Sequence, residues 1–167
     1  MTHQFVDNYQ IEKIIKSLTD FALRDLKFIR DQDVLLVTFL AASCFIDVLG
    51  GIMAGKRATG KTYRRFIKKY LTQYDTHNLY EDLRCALAHN YSVGRNYSLI
   101  RQNSAVHLKT TTESKIVINV EDFVNEVEAG FHQFVSDLRS DRETGENATA
   151  WSRKYRIIEL MQVDIPH

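Results

Sequence analysis

The sequence predicts a mainly α fold: an antiparallel bundle of five to six helices with a small β-hairpin or meander inserted before the last long helix. Three observations predict it. Apolar residues recur at helical spacing through most of the chain, the spacing drops to two only between residues 97 and 119, and 167 residues suffice to bury one core without staples. The expected organisation is a single domain over residues 1–167. It has a core at about 7–140, a polar loop at 140–150 and a closing helix at 150–162.

Ile11, Ile14, Ile15, Leu18, Phe21, Ala22, Leu26 and Ile29 fall on one face, so residues 7–30 read as a long amphipathic helix. Asp31 or Asp33 is placed to cap the next helix, "VLLVTFLAASCFIDVLGG", which is apolar on nearly all sides and ends at Gly50-Gly51. A third helix starts at Lys61. Tyr63, Phe66, Ile67, Tyr70 and Leu71 line its inner face, while Lys61, Arg64, Arg65, Lys68 and Lys69 line the other. "NLYEDLRCALAHNYSVG" is a fourth helix, with Asn78 as cap and Gly94 as terminator. "YSLIR", "AVHLK" and "KIVINV" then alternate as short strands. Asn119 caps the long helix that carries Phe123, Val127, Phe131, Phe134, Val135 and Leu138.

Net charge is only +1, but it is unevenly spread. Residues 48–112 hold eleven Lys and Arg against Asp75, Glu81 and Asp82, whereas acids outnumber bases elsewhere. A basic middle suits an anionic partner such as RNA or another phosphate-rich ligand; a solvated face is the plainer alternative. Cys44 and Cys85 form no disulfide framework, and the N-terminus lacks a basic region followed by an apolar run. Val34–Leu49 is interrupted by Asp47 and short for a bilayer, so it reads as a buried helix. The expectation is a cytoplasmic protein with no membrane span, metal or cofactor.

"GKRATGKT" (residues 55–62) fits the phosphate-binding pattern G-x-x-x-x-G-K-[ST], in which Lys61 would reach phosphate and Thr62 a magnesium ion. That loop must follow a β-strand within a βαβ unit. Here a helix precedes it, so the stretch reads as a helix–helix connector, with nucleotide binding as a weaker alternative.

Arg84 and His89 lie on the fourth helix, about 7.5 Å apart in rise and roughly 140° apart in rotation on an ideal helix. A cation beside an imidazole suits phosphodiester cleavage, the imidazole moving a proton and the guanidinium steadying the phosphorane. R-x4-H in "RCALAH" resembles the motif of HEPN domains, and the likeness extends over residues 7–140 through "CFIDVLGG", "YRRFIKKYL", the alternating segments and "INVEDF". The resemblance implies a homodimer whose motif helices meet, so that two Arg/His pairs line one cleft. It implies either a metal-independent endoribonuclease of toxin or defence type, with an antitoxin partner, or a non-catalytic RNA- or nucleotide-binding regulatory module. On the catalytic reading Arg84 stabilises phosphate, His89 is the acid/base and Asn90 a helper, with Lys61, Arg64, Arg65, Lys68 and Lys69 holding the RNA. The sequence departs from the family pattern at Cys85, where active members carry a polar residue directly after the Arg.

Further candidates support the site or serve the fold. Asp47, an acid in an apolar helix, needs a buried partner, either Arg84 or an Arg of the third helix. Leu79, Leu83, Ala86 and Leu87 form an apolar stripe expected at the dimer interface. Cys85 and His89 share a face but have no further ligand at metal spacing. Tyr80, Tyr91 and Tyr97 stack bases or fill core and interface, with Tyr91 expected in a supporting role. His77, His107 and His132 show no pattern and read as surface or edge residues.

Overall fold

The computed structural model describes residues 8–155. Helix α1 (Asn8–Ser17) runs through a π turn (Leu18–Leu23) into α2 (Arg24–Asp31). Ile11, Ile14, Ile15, Leu18, Leu23 and Leu26 are its buried residues. Five positions separate Leu18 from Leu23, and the i→i+5 bonding of a π turn carries the buried stripe across that gap. Phe21 and Ala22 consequently sit half-exposed.

Helix α3 (Leu35–Met53) is the hub, touching α2, α4 (Gly60–Tyr70), α7 (Val120–Ser140) and α8 (Arg142–Lys154). It is long and apolar enough to cross a membrane, yet most of it is buried inside the protein. Its rings interlock with those of α7, Phe39 against Phe123 at 5.4 Å and Phe45 against Phe131 at 5.5 Å. Each such side chain contributes about 1.5–3 kcal/mol on burial. Neither Asp31 nor Asp33 caps α3: its N-cap is Val34, while Asp31 pairs with Arg30 and Asp33 with Arg101.

Gly50-Gly51 does not end α3, which continues to Met53. The glycines are there for close approach, since a Cβ on Gly50 would lie 2.6 Å from the Thr62 carbonyl oxygen of α4. The chain turns instead at Gly55, where φ is +65°. Helix α4 then opens on a capping box. Thr59 Oγ1 accepts from the Thr62 N–H and Thr62 Oγ1 accepts from the Thr59 N–H.

The fourth helical segment comprises α5 (Thr76–Asn78), a π stretch (Leu79–Cys85) and α6 (Ala86–Asn90). Its cap is Asp75 rather than Asn78, the carboxylate accepting from the Asn78 N–H at 2.7 Å. Leu79, Leu83 and Leu87 recur every four residues and would drift around a 3.6-residue turn; the wider π turn keeps them aligned. All three are buried in this chain's own core, so the stripe expected at a dimer interface is internal. The segment ends at Tyr91, not Gly94. Tyr91 adopts a left-handed conformation, φ 49°, and Ser92 N–H closes back on Ala86 O at 3.3 Å.

The alternating region is not a hairpin or meander. Strands β1 (Tyr97–Ile100) and β2 (Ile116–Asn119) pair in parallel, Tyr97 opposite Ile116 and Ile100 opposite Asn119. A period of two marks a strand but not its direction, so a parallel pair carries the same pattern as a hairpin. "AVHLK" is no strand: a 3-10 turn at Ser104–Val106 and left-handed Leu108 break it, leaving a single antiparallel bridge between Thr110 and Ile116. Asn119 then caps α7 as expected, accepting from the Glu121 and Asp122 N–H groups.

The polar loop expected at 140–150 is helical: α8 spans Arg142–Lys154, capped by Asp141. Its inward residues are Thr144, Gly145, Ala148 and Thr149, small enough to pack closely but too polar to show an apolar period. The part of the expected closing helix beyond residue 155 lies outside the described residues.

Replacing Gly50 with Ala should destabilise the protein by about 1–3 kcal/mol, since backbone rather than a yielding side chain meets the added methyl. Urea unfolding measures this. A wild-type midpoint would refute the α3–α4 contact.

Candidate functional site

Asp47 sits on the buried face of α3 between Ile46 and Val48, with 8% of its surface exposed. Burial of that acid requires a cation, and Arg84 supplies it: Arg84 Nε donates to Asp47 Oδ2 at 2.7 Å. Only Nε is spent. Among the described residues the two Nη groups have no hydrogen-bond partner, and the Arg84 side chain is 26% exposed. The guanidinium carbon also lies 5.9 Å from the centre of the Tyr80 ring.

Tyr80 organises this corner. Its ring packs on Tyr63 at 5.2 Å and faces the Arg64 guanidinium at 4.5 Å, which puts Arg64 and Arg84 on one aromatic platform. Arg64 is further tied to Glu81 at 2.5 Å. Burial of Tyr80, then the neighbouring Cys85 thiol, raise the phenol above its ordinary range. Cys85 thus faces a tyrosine hydroxyl. Surrounding side chains raise the Cys44 thiol more than nearby Arg84 lowers it, which leaves no activated thiol there.

His89 and Asn90 end α6, both exposed, and His89 has no partner among the described residues. Left-handed Tyr91 follows at 60% exposure, an aromatic held away from the core immediately after them. Tyr97 belongs to the core at 4% exposed. No group of three or more His, Cys, Asp or Glu suited to a metal occurs among the described residues.

The basic face of α4 is less free than its sequence suggests. Lys69 pairs with Asp137 at 2.7 Å, and that bond is the main cause of its raised pKa. With Arg64 bound to Glu81, the side chains without an ion pair among the described residues are Lys61, Arg65 and Lys68. They recur at i, i+4 and i+7 and are all exposed, so they form one stripe. In "GKRATGKT", Thr62 is 2% exposed and its hydroxyl donates to Thr59 O at 2.9 Å. A helix precedes the loop and the hydroxyl that would hold magnesium is spent on capping; the stretch is a connector.

One cluster escaped the sequence reading. His107 is not a surface residue: its Nε2 lies 3.2 Å from both Tyr74 Oη and Glu126 Oε2, and its Nδ1 accepts the Asn119 N–H at 3.0 Å. Three chain segments contribute to it, so no local spacing could have revealed it.

No protein-family description matches the chain, and neither a curated protein nor a solved structure matches it.

Asp47→Ala leaves the Arg84 guanidinium half-buried without its counterion and should cost about 1–3 kcal/mol, a buried-pair loss discounted for the exposure of Arg84. Asp47→Leu combined with Arg84→Met should recover most of that loss in urea unfolding. A double variant no more stable than Asp47→Ala would mean that the pair is not the cause.

Proposed function

We propose that this chain is an RNA-interacting, HEPN-like protein that works as a homodimer and cleaves RNA without a metal ion. The observation that carries the reading is the disposition of Arg84. It is clamped through Nε with both Nη groups open, about one and a half helical turns before an exposed and unpartnered His89. A guanidinium fixed along one edge presents its remaining N–H groups as a fork for a phosphate. His89 takes the proton of an RNA 2′-OH, whose oxygen attacks the adjacent phosphorus. Arg84 stabilises the charge on the non-bridging oxygens, and the departing 5′-oxygen takes up a proton. The products are a 2′,3′-cyclic phosphate and a 5′-hydroxyl end.

Arg84 and His89 diverge around their helix, which favours a site completed by a second copy. The surface beside them is suited to contact: Val37, Ala41, Cys44 and Val48 recur along α3 and are exposed or half-exposed, with exposed Ala88 on α6. Lys61, Arg65 and Lys68 extend the positive field along α4, and Tyr91 offers a ring on which an unpaired base stacks. Asn90 assists beside His89.

The second reading is a non-catalytic module that binds RNA in the same cleft. Two observations favour it: Asp47 partly neutralises Arg84, and Cys85 stands where a polar residue is expected.

Purified protein incubated with labelled RNA in excess EDTA separates the two. Wild type should cleave and leave 2′,3′-cyclic phosphate ends, while His89→Ala and Arg84→Ala each slow cleavage by about 10²-fold or more. DNA of the same sequence should resist. Equal cleavage by wild type and His89→Ala would remove the catalytic assignment, and RNA binding without cleavage by any of them would select the module.

A further inference from the structure

The outer face of α3 carries a regular apolar seam. Starting at its N-cap, Val34, Val37, Ala41, Cys44 and Val48 are exposed or half-exposed and recur at i, i+3, i+7, i+10 and i+14. These are the a and d positions of two heptads, a seam about 21 Å long at about 1.5 Å per residue. No charge interrupts it, because Asp47, the one charged residue of α3, is turned inward to Arg84. Exposed apolar surface is concentrated here. Five large hydrophobic side chains are exposed among the described residues: Val34 and Val37 lie on the seam, Phe28 and Tyr91 belong to α2 and the end of α6, which both pack against α3, and only Tyr9 lies elsewhere.

The two ends of the seam are charged with opposite sign. At the N-terminal end Asp31 and Asp33 keep 62% and 98% of their side-chain exposure, whereas their partners Arg30 and Arg101 keep only 20% and 22%. Arg101 is drawn inward by the Arg30 and Gln32 carbonyls, to which it donates at 2.7 Å. The charge presented to solvent there is negative. At the other end the next seam position is Gly51, and it is covered: a Cβ there would lie 3.0 Å from the Lys56 carbonyl oxygen and 3.3 Å from Trp151 Nε1. The connector thus folds back to the level of Gly51, where Lys56 and Arg57 are exposed with no ion pair among the described residues.

A heptad seam of small and β-branched residues fits another helix of the same spacing. A second copy supplies one, and the charges decide how it lies. Parallel helices would set Asp31 and Asp33 beside their own counterparts, and Lys56 and Arg57 beside theirs. Antiparallel helices set the acidic end of each over the basic end of the other. With the crossing point at Ala41, Val34 meets Val48 of the second copy, and Asp31 falls level with Gly51 and its overlying Lys56. Ala41, the smallest side chain of the seam, meets itself at the two-fold axis, where the backbones approach most closely.

We propose that two copies of this chain pack antiparallel along residues 34–48 of α3, with Ala41 on the two-fold axis. This packing rests on the homodimer proposed above and on none of its RNA chemistry. It sets the Arg84 of each copy at the border of one shared interface, because Arg84 is held to the same helix through Asp47.

Disulfide trapping tests it, in a Cys44→Ser background that leaves Cys85 and one introduced cysteine. Under copper–phenanthroline oxidation Ala41→Cys should give a covalent dimer on a non-reducing gel, while Val34→Cys and the background itself should not. Val37→Cys with Cys44 retained supplies a second pair, 37 against 44 of the other copy, and should cross-link only while Cys44 is present. Urea unfolding establishes that each variant is folded, and light scattering at micromolar concentration gives the oligomeric state. A dimer in which neither the 41–41 nor the 37–44 pair cross-links would overturn the packing and leave the homodimer standing. Val34→Cys linking as readily as Ala41→Cys would make the helices parallel and overturn the antiparallel arrangement. A folded monomer would overturn both the packing and the homodimer.

Discussion

A carboxylate cannot remain ionised inside an apolar helix without a counter-charge, and that constraint organises this protein. Asp47 lies on the most buried helix, and the partner that satisfies it comes from the segment carrying the R-x4-H pattern. The pair therefore fixes where Arg84 stands relative to the core. It also determines which edge of the guanidinium is spent and which is open. Around it, Tyr80 collects a second guanidinium from Arg64, so that α3, α4 and the π stretch before α6 converge on one corner. The close approach of Gly50 to Thr62 holds α3 and α4 together at the other end of the connector.

The two π segments have related consequences. Each occurs where buried residues are spaced by more than an α-helical turn, at Leu18–Leu23 and through Leu79–Leu83–Leu87. In the second case the wider turn commits every leucine to the interior. What faces outward on α6 is then small and polar, Ala88, His89 and Asn90. A contact surface near the motif thus has to draw on the outer residues of α3 rather than on those leucines. The electrostatics divide similarly: among the described residues Lys61, Arg65 and Lys68 on α4 have no ion pair, and neither does Asp122 on α7, so one near-neutral chain carries unpaired charge of both signs.

Much of this was legible in the sequence, and the exceptions have physical causes. Helices with large apolar faces announce themselves through their period, as did the cap at Asn119 and the need of Asp47 for an arginine. Helix α8 did not, because Gly145, Ala148 and Thr149 pack by being small and leave no apolar period. Alternation locates β1 and β2 but carries no information on direction, so the region expected to be a hairpin or meander is a parallel pair. Gly50-Gly51 looked like a terminator because the residue that needs the space, Thr62, comes from the following helix. At the candidate site Arg84, His89 and Asn90 were legible as a local pattern. Arg64 and Lys69 look like free bases in the sequence because Glu81 and Asp137, which neutralise them, lie on other elements. His107, Tyr74 and Glu126 were invisible for the same reason.

Arg84 is bound to Asp47 through Nε, and on the proposed function it serves a phosphate at the same time through its Nη groups. Lysine keeps the charge but has one nitrogen and cannot fork between them. The most direct measurement is the affinity of Arg84→Lys for single-stranded RNA at fixed salt, compared with wild type and with folding verified by urea unfolding. A folded variant that binds at least about tenfold more weakly is the predicted result, consistent with loss of a charge-assisted hydrogen bond. Wild-type affinity in Arg84→Lys would contradict the account and reduce Arg84 to a counterion for Asp47.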